Sequence, residues 1–330
     1  MHSGEPSLFL SADWGTSFLR VRLASIDGQN VIAGSDSNNG IRTTFHWWKQ
    51  RKDADPVRRV AFYLGILRES IYRIEEQLGG SLAGTPVVLS GMASSSAGLV
   101  ELPYAQTPFA TDGRSVIAQW LDLETLFLHP VLLVSGIRNT DDVMRGEETQ
   151  LIGCNGSGDG WYIFPGTHSK HILVKDDAIV DFCTYMTGEF FGLLSEMSLL
   201  SGSVEKSEGP GGETGSGPFQ QGVLDAGGAN LLRAAFRVRT NDLFGKLSAK
   251  ENYNYLSGLL IGAELQDLAV RTKASGLRGY MCCGPALKDY YEKAVAVLDL
   301  CERVHIFPSG WVDTAVVRGQ SLIFHQLDQS

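Results

Sequence analysis

The feature that most constrains the fold of this chain is a short pattern that occurs twice. Each copy is an apolar strand, a glycine-threonine turn, a second strand, a turn with aspartate and a third strand. The glycine-threonine turns are Gly15-Thr16-Ser17 and Gly166-Thr167-His168-Ser169, and the aspartate turns are Asp27-Gly28 and Asp176-Asp177. The pattern predicts one duplicated β-unit near the start of each half, although a motif this short can also recur by chance.

The length of the chain agrees with a division into two halves. Its 330 residues exceed what one ordinary core holds, so we predict two domains, 1–153 and 154–330. Strand and helix patterns alternate in both, which indicates α/β architecture. The helix that follows Asp313 is a candidate to cross back onto the first domain.

Helical periodicity is clearest between Asp55 and Gly79. Apolar residues recur three and four apart there, Asp55 is placed to cap the helix, and Gly79 ends it. Weaker patterns predict further helices at about 141–153, 219–236, 251–270 and 286–298. The segment 201–218 contains six glycines and two prolines, which predicts a mobile surface loop.

Composition excludes several classes of partner. The formal net charge of −9 argues against nucleic acid, because a phosphate backbone demands a basic protein face. No apolar run is long enough to span a bilayer and the first residues lack a signal-peptide pattern, so we predict a cytoplasmic protein without a membrane partner. The five cysteines lack metal-ligand spacing and are predicted to be reduced thiols. The oligomeric state stays open, with a homodimer as one candidate.

Familiar nucleotide and hydrolase motifs are absent from the sequence. The chain has no G-x-x-x-x-G-K-[ST] loop, no G-x-G-x-x-G fingerprint and no G-x-S-x-G elbow. P-loop, dinucleotide-binding and serine-hydrolase interpretations therefore lose their main support.

The repeated turns have the composition of phosphate-binding hairpins. Glycine lets backbone N–H groups approach a phosphate without a Cβ in the way. The hydroxyls that can donate to phosphate oxygens belong to Thr16, Ser17, Thr167 and Ser169. Asp13 ends its strand, where a carboxylate can hold Mg²⁺. Taken alone, each turn is more typical of a plain β-turn, but two turns together with Asp13 favour a clamp on a triphosphate, as phosphoryl transfer requires.

A kinase also needs a carboxylate that accepts the proton of the attacking hydroxyl. Glu147 and Glu148 precede the second repeat closely and are the candidates. Two glutamates early in a helix are also typical of solvated residues that the helix dipole favours, so position alone does not assign the base.

Longer motifs run through nearly the whole chain. Two are long enough to be specific, VMRGEETQLIG at 143–153 and LSGLLIGAE at 256–264. The shorter ones are 13–17, Ser90-Gly91-Met92, Leu102-Pro103-Tyr104, 165–168, 186–189 and Asp313-Thr314-Ala315. Together these motifs resemble the bacterial 2-dehydro-3-deoxygalactonokinases, also called 2-keto-3-deoxygalactonate kinases.

The resemblance implies a fold and a reaction. The fold would be the two-domain actin-like ATPase (ribonuclease H-like) fold, with duplicated mixed β-sheet domains around a nucleotide cleft. Residues 1–153 would form the substrate side and 154–330 the nucleotide side. The reaction would transfer the γ-phosphate of ATP, with Mg²⁺, to the 6-hydroxyl of 2-dehydro-3-deoxy-D-galactonate in galactonate catabolism.

The resemblance also implies roles for residues around the nucleotide. Gly146-Glu147 resembles the Gly-Asp pair that places the catalytic base in related sugar kinases, and because Glu replaces Asp here, Glu148 stays an alternative base. Cys282-Cys283-Gly284-Pro285 resembles an adenosine-binding turn but departs from its usual composition, which leaves nucleotide preference open. The residues implied to bind the nucleotide are Gly15, Thr16, Ser17, Gly166, Thr167, His168, Gly284 and Pro285.

Substrate contacts are implied at the remaining motifs. The residues expected to contact the sugar acid are Gly91, Met92, Tyr104 and Arg145. The substrate carboxylate needs a cation, for which Arg145, Arg20 and Arg42 are candidates in that order, although each arginine alone is more typical of a surface ion pair.

Two alternative functions stay open. The first is a kinase for another sugar acid, such as 2-keto-3-deoxygluconate. The second is an actin-like protein that hydrolyses ATP to drive assembly or conformational change, whose ATPase activity would not respond to sugar acids.

Overall fold

In the computed structural model, which describes residues 7–51, 55–154, 158–210, 216–228, 230–308 and 310–328, two mixed β-sheets organise the chain. The strands are β1 (Leu8–Trp14), β2 (Leu19–Ser25), β3 (Val31–Ser37), β4 (Val87–Gly91), β5 (Ala105–Gln106), β6 (Phe109–Ala110), β7 (Ala118–Leu121), β8 (Val131–Val134), β9 (Ile137–Arg138), β10 (Val143–Met144), β11 (Gly160–Phe164), β12 (Ser169–Lys175), β13 (Ala178–Tyr185), β14 (Gly279–Met281) and β15 (Val304–Ile306). The helices are α1 (Ile41–Lys49), α2 (Pro56–Leu78), α3 (Glu147–Cys154), α4 (Thr187–Glu196), α5 (Ser216–Gly228), α6 (Leu231–Ala235), α7 (Arg237–Leu243), α8 (Ala249–Ser275), α9 (Pro285–Val297) and α10 (Trp311–Asp328).

The two copies of the repeat form equivalent parts of two sheets. The first sheet has the order β3-β2-β1-β4-β8-β7 and the second has the order β15-β14-β11-β12-β13-β6. In each sheet the first strand of the repeat pairs antiparallel with the next strand and parallel with a later one, β4 or β14, on its other edge. A further parallel strand, β8 or β15, follows outside. The predicted duplication is confirmed by this shared strand order.

The alternation of side chains along β1 explains why Asp13 lies outside the apolar core. Leu10, Ala12 and Trp14 point into the apolar core that α2 also fills, because successive side chains of a strand face opposite sides of the sheet. Ser11 and Asp13 therefore lie on the other face, where α10 packs in the same unit. The strand thus fixes one face for packing and leaves the other for polar groups.

The predicted helix between Asp55 and Gly79 is confirmed as α2. The Asp55 side chain accepts a hydrogen bond from the Arg58 N–H at 3.0 Å, and Gly79 adopts the left-handed conformation at φ 66°. Among the helices of the described ranges, none is both long and apolar enough to cross a membrane.

Two predicted helix limits are wrong. The segment 141–153 begins as a β-hairpin, because Asn139 accepts hydrogen bonds from the next backbone N–H groups and Gly146, at φ 115°, interrupts the chain before α3. The segment 219–236 contains two helices, α5 and α6, since the Asn230 side chain accepts the Leu232 N–H and starts a new helix. Helix α1 has no counterpart among the sequence predictions.

The predicted loop at 201–218 is partly ordered structure. Leu199–Ser203 forms a 3₁₀ helix in which Ser203 is fully buried, and α5 already begins at Ser216. Residues 211–215 lie outside the described residues. The loop prediction is therefore wrong at both ends of the segment.

The chain folds into two compact units. The first comprises Met1–Gly156, Asp177–Asp181 and Val312–Ser330, and the second comprises Ser157–Asp176 and Phe182–Trp311. A single cut between 153 and 154 therefore misplaces two segments. The start of β13 groups with the first unit because it pairs with β6, and α10 does so because the Gln320 amide donates to the Ala12 carbonyl at 3.0 Å and to Ser90 Oγ at 2.8 Å. Which unit receives the sugar acid and which the nucleotide stays a prediction.

Candidate active site

In the first unit, the ends of β1 and β4 bring two predicted site residues together, Asp13 and Gly91. These strands are parallel, with Asp13 beside Ser90, so both end at the same edge of the sheet. Gly91 has φ 84°, and a Cβ there would lie 2.8 Å from the Trp14 carbonyl and 3.2 Å from Asp13 Oδ1. A Cβ on Gly146 would lie 3.4 Å from Gly91 Cα. The glycines thus let the backbone approach the Asp13 carboxylate closely.

The Asp13 carboxylate is partly accessible. Its side chain is 14% exposed, and Arg20, its cross-strand partner, approaches it at 3.5 Å. At that distance the pair is a weak ion pair rather than a tight bidentate one. An oxygen-only donor at a sheet edge is the kind of ligand that Mg²⁺ prefers.

The 15–17 turn is supported by the start of α1. The N–H groups of Ile41 and Arg42 donate to the carbonyls of Gly15 and Thr16 at 3.0 and 3.1 Å. Gly40 sits so close that a Cβ there would lie 2.4 Å from the Thr16 carbonyl oxygen. Within the described ranges, the hydroxyls of Thr16 and Ser17 have no protein partner, although neither side chain is buried. The carbonyls therefore face α1, and the hydroxyls stay available for a ligand.

The two candidate bases have different environments. Glu148 is 1% exposed, and both of its carboxylate oxygens accept the Gly146 N–H, at 2.9 and 2.8 Å. Burial, with the neighbouring charge of Glu147, raises the pKa of Glu148 to about 8. Glu147 is only half-buried. Glu148 is thus engaged at the start of α3, whereas Glu147 is the more exposed residue, although its Oε2 atom is itself buried.

Close packing of two helices holds α3 in position. A Cβ on Gly153 would lie 1.7 Å from the Ala315 carbonyl, and one on Gly319 would lie 2.0 Å from the Thr149 carbonyl. Only glycine fits at this crossing of α3 and α10. The motif at 143–153 includes Gly153 without showing its packing role, and sequence reasoning missed Gly319 and Gln320. The only sequence signal of Gly319 is glycine at an interior helix position, where packing must offset its poor helix propensity.

Arg145 is held by the protein itself. Its side chain is buried, its Nη1 donates to Ser94 Oγ at 2.7 Å, and its Nη2 donates to the Leu102 carbonyl at 3.0 Å. The guanidinium lies 3.9 Å from the centre of the Tyr104 ring. Its Nε has no protein acceptor within the described part of the chain. The structure therefore brings Arg145 and Tyr104 into contact, and hydrogen bonds within the protein already occupy most of the guanidinium donors.

In the second unit, two predicted glycine positions lie at one edge of the second sheet. Strands β11 and β14 are parallel neighbours, and the turns with Gly166 and Gly284 follow their carboxyl ends. No atom lies within 4 Å of a Cβ built on either glycine. Gly284 is the N-cap of α9 and Pro285 is its first residue. The N-terminus of α9 therefore lies at the same sheet edge as the turn with Gly166.

The 166–169 turn differs in part from the prediction. Ser169 is fully buried, and its hydroxyl accepts the Gly166 N–H at 3.3 Å, so the prediction that this hydroxyl faces a phosphate is wrong. The N–H groups of Thr167 and His168 have no protein acceptor in the described ranges. These two N–H groups are the candidate donors of the turn to a ligand.

The start of α4 closes on this turn. A Cβ on Gly188 would lie 2.6 Å from the Gly166 carbonyl, and the Glu189 N–H donates to the Thr167 carbonyl at 3.0 Å. The Glu189 carboxylate is hydrogen-bonded to His168 Nε2. Sequence motifs include Gly188 and Glu189, but only the fold shows that they hold the turn.

The chain is similar to members of one family along most of its length. A model of the 2-keto-3-deoxy-galactonokinase family matches residues 13–320. A 2-dehydro-3-deoxygalactonokinase of Escherichia coli strain K12 is 36% identical over 263 residues, which cover 79% of this chain and 80% of its own. A relative from Rhizobium meliloti strain 1021, named as a probable 2-dehydro-3-deoxygalactonokinase, is 32% identical over 268 residues, or 78% of this chain and 79% of its own.

A solved structure resembles the whole chain. A crystal structure of a Sinorhizobium meliloti protein with a similar designation is 27% identical, with a TM-score of 0.77, and the match covers 97% of this chain and 96% of that one. The predicted two-domain actin-like α/β fold is confirmed. As its motifs predict, the chain belongs to the 2-keto-3-deoxy-galactonokinase family.

Proposed function

We propose that this protein is an ATP-dependent kinase that phosphorylates the 6-hydroxyl of 2-dehydro-3-deoxy-D-galactonate in galactonate catabolism. The observation that carries the proposal is the family match over 13–320, which includes both glycine turns and the segment with Glu147. The duplicated sheets, each with such a turn at its carboxyl edge, support a reaction on a nucleotide phosphate.

The nucleotide phosphates would be held by backbone N–H groups and by side-chain hydroxyls. In this proposal the N–H groups of Thr167 and His168 and the hydroxyls of Thr16 and Ser17 bind phosphate oxygens. Gly284 and Pro285 shape the adenine site at the open start of α9. Mg²⁺, when bound with the nucleotide, supplies charge neutralisation, and the accessible Asp13 carboxylate fits it because its oxygens are hard ligands.

Glu147 is the proposed general base. It accepts the proton of the 6-hydroxyl while that oxygen forms a bond to the γ-phosphorus and the bond from this phosphorus to the bridging oxygen of ATP breaks. Its half-buried position supports this role over Glu148, whose oxygens already accept the Gly146 N–H. A carboxylate that acts as a general base must be able to reach the substrate hydroxyl.

The substrate carboxylate has two proposed cationic partners. Arg145 Nε and the Tyr104 side chain would contact the sugar acid beside Gly91 and Met92. Arg42 is exposed at the first turn of α1, next to the 15–17 turn, and has no acidic partner within the described residues. Arg20 is the weaker candidate because it faces Asp13.

A coupled ADP-release assay over a panel of sugar acids tests the function. We expect the highest kcat/KM with 2-dehydro-3-deoxy-D-galactonate. A higher value with 2-keto-3-deoxygluconate would reassign the substrate, and ADP release that is indifferent to every sugar acid would favour a non-kinase ATPase. The cytoplasmic location and the homodimer stay predictions.

A further inference from the structure

A buried polar cluster lies directly beneath the 166–169 turn of the second unit. Its centre is Glu264 on α8, which is 2% exposed, and its other side chains come from three different elements. They are Ser169 and His171 on β12, Thr187 on α4 and Tyr291 on α9. Ser169, His171 and Tyr291 are at most 1% exposed. Burying a carboxylate is costly unless it is fully hydrogen-bonded, so the cluster is a built feature of the unit.

The hydrogen bonds in this cluster have one direction. The Tyr291 hydroxyl donates its only proton to Glu264 Oε2 at 2.8 Å. Ser169 Oγ, 3.3 Å from the Tyr291 oxygen, must then be the donor of that bond. Ser169 Oγ in turn accepts the Gly166 N–H at 3.3 Å. A continuous relay therefore runs from the backbone of the turn to Glu264, and aligned hydrogen bonds strengthen one another.

A second arm connects Glu264 to the other side of the turn. The Thr187 hydroxyl donates to Glu264 Oε2 at 2.5 Å, and His171 Nε2 lies 3.1 Å from Oε1. Thr187 is the first residue of α4, whose next two residues pack on Gly166 and bond to Thr167. Glu264 thus holds both the strand that leaves the turn and the helix that covers it.

The position of Glu264 follows from close helix packing. A Cβ on Gly258 would lie 2.1 Å from the Phe219 carbonyl, and one on Gly262 would lie 2.7 Å from Val223 Cα. These glycines let α5 contact the α8 backbone, which fixes α8 and presents Glu264 two residues later. The LSGLLIGAE motif therefore combines a packing surface with the carboxylate that it positions.

We infer that Tyr291 and Glu264 are positioning residues that set the conformation of the 166–169 turn and through it the affinity for nucleotide phosphates. The inference rests on the proposed function, because it assumes that this turn binds phosphate. Neither residue reaches solvent, so both act through Ser169 and Thr187 rather than by touching the nucleotide. Without the relay, the Gly166 N–H and the Thr167 backbone lose their anchor.

The test compares two buried tyrosines of the same unit. Tyr291→Phe removes the hydroxyl that links Ser169 to Glu264. Tyr255→Phe is the matched control, because Tyr255 is 1% exposed and donates to Asp225 at 2.7 Å, with no bond to the turn. MgADP affinity by calorimetry, KM for ATP, KM for the sugar acid and the thermal midpoint are measured for both. Ser169→Ala cuts the same relay from its other side.

We expect both tyrosine variants to lose stability to a similar extent. Only Tyr291→Phe and Ser169→Ala should weaken MgADP binding and raise the KM for ATP, by about fivefold to tenfold, which is the scale of one hydrogen bond. The KM for the sugar acid should stay unchanged. If both relay variants bind MgADP like Tyr255→Phe, the cluster is merely structural and the inference is wrong.

The outcome for the wild-type protein separates this inference from the proposed function. Wild-type protein that binds MgADP but phosphorylates no sugar acid contradicts the proposed function, while the affinities of the variants still decide the relay. Wild-type protein that binds neither MgADP nor MgATP contradicts both.

Discussion

In the 15–17 turn of the first unit, backbone groups at the start of α1 provide the support, whereas in the 166–169 turn a buried side-chain relay provides it. The first turn depends on two backbone hydrogen bonds and on the absence of a side chain at Gly40. The second depends on Ser169, Tyr291 and Glu264. Two turns of similar sequence are thus stabilised by different interactions. A turn supported by backbone tolerates most substitutions around it, while a turn supported by side chains is sensitive to single distant changes.

The units also differ in the acidic groups they supply. The first sheet places Asp13 two residues before its glycine, whereas the corresponding position before Gly166 is Phe164. Both units bury a glutamate, but Glu148 accepts from the Gly146 backbone and one hydroxyl and lies next to another acid, while Glu264 accepts from three side chains. We therefore expect metal and proton chemistry to depend on the first unit and nucleotide affinity to depend strongly on the second.

The largest expected effect separates chemistry from nucleotide binding. Glu147→Gln should lower kcat by about two to four orders of magnitude, the scale of losing a general base, and leave MgADP affinity unchanged. Steady-state kinetics and calorimetry measure the two quantities. Glu148→Gln is the control, since its side chain is buried at the start of α3. A dead Glu148→Gln enzyme beside an active Glu147→Gln enzyme would move the base by one residue.

Asp13→Asn should have the next largest effect. We expect kcat to fall about a hundredfold, the scale of losing one electrostatic stabiliser, because a neutral amide holds a hydrated cation poorly. The Mg²⁺ concentration for half-maximal rate should rise. Titration of the rate with Mg²⁺ measures this, and an unchanged Mg²⁺ dependence would remove Asp13 from the site.

A pair of glycine substitutions compares the supports of the two turns directly. Gly40→Ala and Gly188→Ala should each lower the free energy of unfolding by about 1–3 kcal/mol, because the new Cβ meets turn backbone at less than 3.0 Å. Gly284→Ala is the control, since no atom lies within 4 Å of its Cβ position. Urea denaturation measures all three. Equal stability of Gly40→Ala and the control would show that α1 does not support the first turn.

The last comparison concerns pH and the first unit alone. Burial raises the pKa of Glu148 to about 8, above its ordinary value of 4.5. Between these values the folded state binds more protons than the unfolded state, so the free energy of unfolding should fall as pH rises through this window. Glu148→Gln does not titrate and should flatten that slope. Denaturation midpoints at about pH 5 and pH 8 measure it, and parallel slopes for the two proteins would contradict the raised pKa.

Much of the fold could be predicted from local patterns. The strands of the repeat alternate apolar and polar residues, and α2 carries one apolar stripe, because each element buries only one face. Such periodicity is visible in the sequence. The limits of α3 and α5 could not be predicted so well, because Asn139, Gly146 and Asn230 redirect the chain through single hydrogen bonds and one positive φ. Apolar periodicity predicts neither these single hydrogen bonds nor a positive φ.

For the candidate site, the sequence by itself determined the residue types and their order along the chain. Asp13, the glycine turns and the adjacent acids Glu147 and Glu148 follow from motifs that local chemistry explains. Only the tertiary structure decided which of these groups are buried. It buried Ser169 and Glu148, each within the hydrogen bonds of its own unit, and left Glu147 half-buried. It also joined α10 to the first unit and placed Glu264 beneath a turn almost a hundred residues away. Burial and such contacts arise from packing between distant segments, and no local pattern encodes them.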